Sequence, residues 1–174
     1  MLKGGWECVC KKHPINLVVS DNNAIFALEK GDRKMIDDRD MEIIDEKLLN
    51  VVTEQAKASP RLRKNYNFHM SLDEKCHRFL NALEPGTVMP IHHHPTKDET
   101  YVILRGRVRV MTYHDDGTMI ESVVLCQKDG VYGVNIPKGT WHTVESLESD
   151  SCIFESKEGP FVPHEEEGVL QLTR

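Results

Sequence analysis

Between Gly86 and Gly106 the chain sets His92, His94 and Glu99 at intervals that constrain its fold more than any other stretch. Five residues separate Gly86 from His92, one separates the two histidines, four lead to Glu99 and six more to Gly106. In an extended strand, residues two apart share a face, so His92 and His94 aim at one point while His93 turns away. Pro95-Thr96-Lys97-Asp98 is long enough to reverse the chain and return Glu99 on the next strand beside the two imidazoles. Three donors thus converge from one hairpin. A second segment, Pro137-Lys138-Gly139-Thr140-Trp141-His142, adds a further imidazole just after a Pro-x-Gly turn. Three histidines and one carboxylate are the expected shell for a divalent metal ion.

The surrounding texture is that of a barrel or sandwich. Glu84-Pro85-Gly86, Asp115-Asp116-Gly117, Lys128-Asp129-Gly130 and Pro137-Lys138-Gly139 punctuate short β-rich runs. These runs predict strands near 76–83, 87–94, 99–105, 107–114, 118–126, 131–136, 141–147 and 151–157. One helix is expected over about 40–59: Asp40 is a good N-cap, Met41, Ile44, Leu48, Val52 and Ala56 recur at helical spacing, and Pro60 marks the stop. Residues 15–29 suit a hairpin around Asp21-Asn22-Asn23. The chain divides into an accessory N-terminal extension, 1–34, and one domain, 35–174, with its barrel at about 66–158; Met35 would make a natural start.

A length of 174 residues with 39% apolar and 29% charged residues fits one soluble globular domain. The formal charge of −6 opposes non-specific nucleic-acid binding, and Arg61, Arg63 and Lys64 are too few to track a polynucleotide. They suit one phosphate or carboxylate instead. No apolar stretch near the start is long enough for a signal core or a membrane span. Cys8, Cys10, Cys76, Cys126 and Cys152 are odd in number and scattered, which fits a reducing, cytoplasmic setting rather than a disulfide framework. Cys8, Cys10 and His13 make only a weak motif for a soft metal.

The Gly86-to-Gly106 segment resembles the first motif of the cupin superfamily at every fixed position, and the Pro137-to-His142 segment resembles the second. The second departs twice: Gly130 stands six residues before Pro137 where the family has five, and Ser146 occupies the usual Asn position. The resemblance implies a mainly β cupin fold, a double-stranded β-helix or jelly-roll barrel with one N-terminal α-helix. A closer resemblance rests on Ser59-Pro60-Arg61-Leu62-Arg63, Asn67, His69, the Gly139-Thr140-Trp141-His142-Thr143 run, Glu155 and Gly159-Pro160-Phe161. These look like the WbuC family of cupin metalloproteins, typically encoded among genes for O-antigen or capsular polysaccharide. Residues 1–34 and the end, Leu170 to Arg174, lie outside that pattern.

Together the residues and the resemblance imply one ion of Fe, Mn, Ni, Co or Zn held by His92, His94, Glu99 and His142. The partner is a small molecule, a carbohydrate or sugar nucleotide. Three readings share this shell: a metal-dependent isomerase or epimerase, an Fe(II) dioxygenase, and a non-enzymatic cupin that binds or senses carbohydrate. His69 and Arg78 are the catalytic candidates, and Arg61, Arg63 and Asn67 the substrate-binding ones. His77, His93, His114 and His164 carry the ordinary reading of hydrogen-bonded or surface residues, which applies to His69 as well. Tyr101 shares the facing parity of Glu99, a position that suits a core aromatic. Cupin barrels commonly pair, so a homodimer is expected.

Overall fold

Turn by turn, the short runs become strands of two antiparallel sheets in the computed structural model, which describes residues 41–163 and 168–170. In chain order they are β1 (Arg63–Asn67), β2 (Cys76–Leu83), β3 (Glu99–Arg105), β4 (Val108–Tyr113), β5 (Met119–Leu125), β6 (Gly133–Ile136), β7 (Trp141–Ser146) and β8 (Ser151–Glu158). One sheet has the order β1-β2-β8-β3-β6, the other β5-β4-β7. Leu83, Tyr101, Ile103 and Ile153 from the first meet Val108, Val110, Leu125 and Val144 from the second in one buried core. The expected hairpin at 15–29, the Cys8, Cys10 and His13 group, Asp40 and His164 lie outside the described residues.

The single α-helix of the described residues, α1 (Glu46–Ala58), starts later than the apolar period predicts. Asp45 is extended at φ −128° and its carboxylate accepts from the Leu48 N–H, which fixes the first turn there. Met41 and Ile44 are exposed, so the buried stripe is Leu49, Val52, Thr53 and Ala56 rather than a row beginning at Met41. This stripe packs on Leu80, Ala82 and Cys152, on the outer face of the five-stranded sheet. Burying each large aliphatic side chain there contributes about 1.5–3 kcal/mol.

Two further differences concern strands. Residues 63–67, unassigned from the sequence, form β1 at the sheet edge, paired from Arg63 opposite Leu83 to Asn67 opposite Phe79. Residues 87–94, expected as a strand, form none. Pro90 has no N–H to give to a ladder, and only His92 bridges, with His142 on one side and Val169 on the other. Cys76, Cys126 and Cys152 are free thiols. Among the described residues no helix is long and apolar enough to cross a membrane.

Candidate metal centre

Strand register decides which end of the barrel is polar. His77, Lys157 and Glu99 are cross-strand partners on β2, β8 and β3. The next inward row is Phe79, Glu155 and Tyr101, and the one beyond it Asn81, Ile153 and Ile103. The inner wall therefore passes from charged to apolar along the strands, and the chemistry sits at the end where β3 begins.

At that end the structure brings together the four side chains singled out above. His92, His94, Glu99 and His142 are all buried, and one donor atom of each lies within 4.8 Å of the others. Backbone pairing sets this convergence: His92 and His142 exchange N–H to O bonds of 3.0 and 2.8 Å, which brings their rings to 4.4 Å, tilted by 52°. The Gly139 N–H donates to the His94 carbonyl (2.8 Å) and the Lys138 N–H to the Asp98 carboxylate (2.9 Å), tying the second motif's turn to the loop before Glu99. Lys97 donates to the Pro160 carbonyl at 2.7 Å. His93 turns away as its parity requires and stacks on Trp141 at 3.9 Å.

The tautomers can be read from the acceptors. Nδ1 of His92 faces the Pro90 carbonyl (3.0 Å) and Nδ1 of His142 the Thr140 carbonyl (2.8 Å). A carbonyl only accepts, so both Nδ1 atoms carry hydrogen, which leaves Nε2 as the ring atom available to a metal. Nε2 of His142 lies 2.9 Å from Glu99 Oε2, and Nε2 of His94 lies 3.8 Å from the same oxygen. The Lys157 ammonium lies 3.5 Å from His94 Nε2. Ligand atoms around one ion at about 2.1 Å lie about 3 to 4.2 Å apart, so this set need draw in only slightly. The donor chemistry and the geometry both fit a divalent metal.

Behind Glu99 lies a buried polar network that sequence reasoning did not assemble. Lys157 donates to Glu99 Oε1 (3.1 Å) and to Glu155 Oε1 (3.2 Å), and Asn81 donates to Glu155 Oε2 (3.2 Å). The Tyr101 hydroxyl donates to Glu99 Oε2 at 2.9 Å. Burial works against the Glu99 charge, but bonding from Glu155, the Lys157 ammonium and His142 hold its carboxyl well below the usual range. Burial and the neighbouring Glu99 charge push Glu155 well above it. Burial likewise raises the Tyr101 phenol, followed by the Glu99 charge, so it stays a neutral donor. Glu155 entered the sequence reading only as part of a family pattern, and Lys157 not at all. The signal was parity: both share the inward face of β8 with Ile153.

The other candidates divide. His69 is buried, stacked face to face on His77 at 4.2 Å and edge-on to Phe79 at 6.1 Å. Asn67 is the cross-strand partner of Phe79, so both stand on the wall near the polar end. Arg78 alternates to the opposite face of β2, exposed and 3.6 Å from Glu74. Arg61 is exposed, and Arg63 pairs across from Leu83, donating to the Val88 carbonyl. Leu83 is four residues beyond Phe79, about 13 Å along the strand, so neither arginine gathers around the four donors.

Two facing antiparallel sheets, an architecture shared with solved cupin structures, thus carry three histidines and a glutamate converging at one end. The fold is that of the cupins. A family model described as a domain of unknown function, DUF6016, matches residues 44–125. No curated protein matches this chain in sequence. Among solved structures, the capsular polysaccharide assembling protein CapF from Staphylococcus aureus is 20% identical with a TM-score of 0.51, over 66% of this chain and 30% of CapF. This chain therefore spans less than a third of CapF, and the likeness is one of fold. KdgF from a Halomonas species is 17% identical with a TM-score of 0.47, over 60% of this chain and 84% of KdgF. The cupin domain of Cnp3 from Schizosaccharomyces pombe is 9% identical with a TM-score of 0.45, over 55% and 64%.

Proposed function

We propose that His92, His94, Glu99 and His142 hold one divalent metal ion, and that this cupin acts there as an isomerase or epimerase on a carbohydrate or sugar nucleotide. The observation that carries the metal reading is the convergence of four buried donor atoms within 4.8 Å. Such an ion supplies Lewis acidity to a carbonyl or hydroxyl oxygen. The chain's own residues orient and move protons. Tyr101 keeps its proton on the phenol oxygen, 2.9 Å from Glu99, and Glu155 carries a raised carboxyl one row behind. In this reading Asn67 and His69, beside Phe79, contact the rest of the molecule. Arg61, Arg63 and Arg78 have no part in this reading.

The carbohydrate class rests on the resemblance to the WbuC family; CapF, named as a capsular polysaccharide assembling protein, lends the same context. Elemental analysis of anaerobically purified protein is expected to find one metal per chain, with loss in His92→Ala and in His142→Ala. Full metal in both variants would overturn the ligand set. A screen of sugar nucleotides with that metal restored is expected to show turnover that the metal-free protein lacks. Binding without turnover would overturn the isomerase reading and leave a carbohydrate-binding cupin.

A further inference from the structure

The two oxygens of Glu99 face different charges. Oε2 lies 2.9 Å from His142 Nε2 and 3.8 Å from His94 Nε2, on the side where the imidazoles converge. Oε1 lies 3.1 Å from the Lys157 ammonium. A carboxylate can bind one ion through either oxygen or through both, and an ammonium only donates, so Lys157 cannot itself become a ligand.

Lys157 is held where it is. Its side chain is 12% exposed, Glu155 Oε1 lies 3.2 Å away on the other flank, and the Phe79 ring centroid is 5.7 Å from the ammonium. Glu155 is fixed in turn by the amide of Asn81 at 3.2 Å. That amide is oriented at a cost: Asn81 Oδ1 is buried and makes no hydrogen bond with the protein. A fold that leaves a buried acceptor unpaired to aim an N–H at Glu155 holds the row rigidly.

We propose that Lys157 is a positioning residue that makes Glu99 a one-oxygen ligand, with Oε1 reserved for the ammonium and Oε2 for the metal, and that Glu155 and Asn81 lock Lys157 for this purpose. The proposal rests on the metal reading above. Its consequence is that the coordination position a two-oxygen carboxylate would fill stays available to a small molecule. The ammonium also lies 3.5 Å from His94 Nε2, at the outer limit of a hydrogen bond and longer than its 3.1 Å bond to Glu99 Oε1, so Glu99 is the ligand it positions most directly.

Infrared difference spectroscopy of the full chain, zinc-loaded minus zinc-free, tests this with glutamate carboxylates labelled by carbon-13. The separation between antisymmetric and symmetric carboxylate stretches is wide for one-oxygen binding and narrow for two-oxygen binding. The wild type is expected to show the wide separation, and Lys157→Met to shift to the narrow one while still taking up zinc. A narrow separation in the wild type, or an unchanged one in Lys157→Met, overturns the proposal. Should Lys157→Met fail to fold, Glu155→Gln removes one anchor and keeps the cation; the same shift in smaller measure supports the proposal and an unchanged spectrum overturns it. A wild-type chain that takes up no zinc, cobalt or manganese overturns the metal reading itself.

Discussion

Glu99 on β3 and Lys157 on β8 are cross-strand partners whose side chains meet inside the barrel at 3.1 Å. A candidate metal ligand is thus also, with Glu155, one of two carboxyl groups that hold a buried ammonium. Burial works to lower the Lys157 pKa, but Glu155 and Glu99 prevail and raise it, so the cation is kept. Removing the Glu99 carboxylate leaves a desolvated positive charge without its ionised partner.

Glu99→Gln is therefore expected to do two separable things. It abolishes stoichiometric metal binding, and it destabilises the metal-free protein by about 1.5–3 kcal/mol, the range for hydrogen bonds to charged groups. Urea denaturation in the presence of a chelator measures the second effect alone. The double variant Glu99→Gln, Lys157→Met is expected to recover part of the loss, because the cation is then gone as well. Strict additivity of the two substitutions would show that the pair is not coupled.

Metal removal should also be visible in the melting temperature. A ligand that binds only the folded chain stabilises it by about 2.7 kcal/mol when present at a hundred times its dissociation constant. Wild-type protein is expected to melt lower after chelation and to recover when metal is returned. In His142→Ala the melting temperature should be the same with and without metal. A chelator-insensitive wild type, with metal loss verified by elemental analysis, would leave the centre without a structural contribution.

Gly106 closes the motif that begins at Gly86, and its role is backbone geometry rather than chemistry. It adopts φ +78°, and a Cβ there would lie 2.4 Å from the Ser151 hydroxyl oxygen and 2.7 Å from the Ser151 Cα. Ser151 is fully buried and its hydroxyl accepts from the Arg107 N–H at 3.1 Å, so it has no room to retreat. Left-handed backbone alone costs roughly 1–2 kcal/mol for a residue with a Cβ. Gly106→Ala is expected to lose more than that in denaturant unfolding. A loss under about 1 kcal/mol would mean that the β3–β4 turn relaxes easily.

What could be read in advance follows from which constraints are local. The spacing of His92, His94 and Glu99 within one reversal, and the Pro-x-Gly turn before His142, are short-range, and the structure brings the four side chains together. Period alone misplaced the helix start, because Met41 and Ile44 fit the apolar repeat while the capping bond belongs to Asp45. Residues 87–94 alternate suitably for a strand, yet Pro90 interrupts the ladder. The Lys157 network was hardest to foresee: its bond to Glu99 joins residues 58 apart, and only the β3–β8 register makes them neighbours. Charged residues sharing the parity of Ile153 on β8 were the available sign.

The stacked histidines give a prediction about acid. His77 is buried, its Nε2 donates to the Leu72 carbonyl at 3.0 Å, and the His69 ring lies 4.2 Å away. Burial above all, then His69, with Lys157 and Lys97 adding to it and the Leu72 bond opposing, lowers its pKa below the ordinary 6.5. In the unfolded chain the imidazole takes up its proton as pH falls through 6.5, whereas in the folded chain it resists doing so. The unfolded state then binds more protons, so this group's contribution to stability is present above pH 6.5 and declines as pH falls below it. His77→Gln, which retains a donor for the Leu72 carbonyl, is expected to flatten that decline. The comparison is made on metal-free protein, so that metal binding enters neither curve. Parallel stability curves for wild type and variant from about pH 7 to pH 5 would show that His77 titrates freely in the fold.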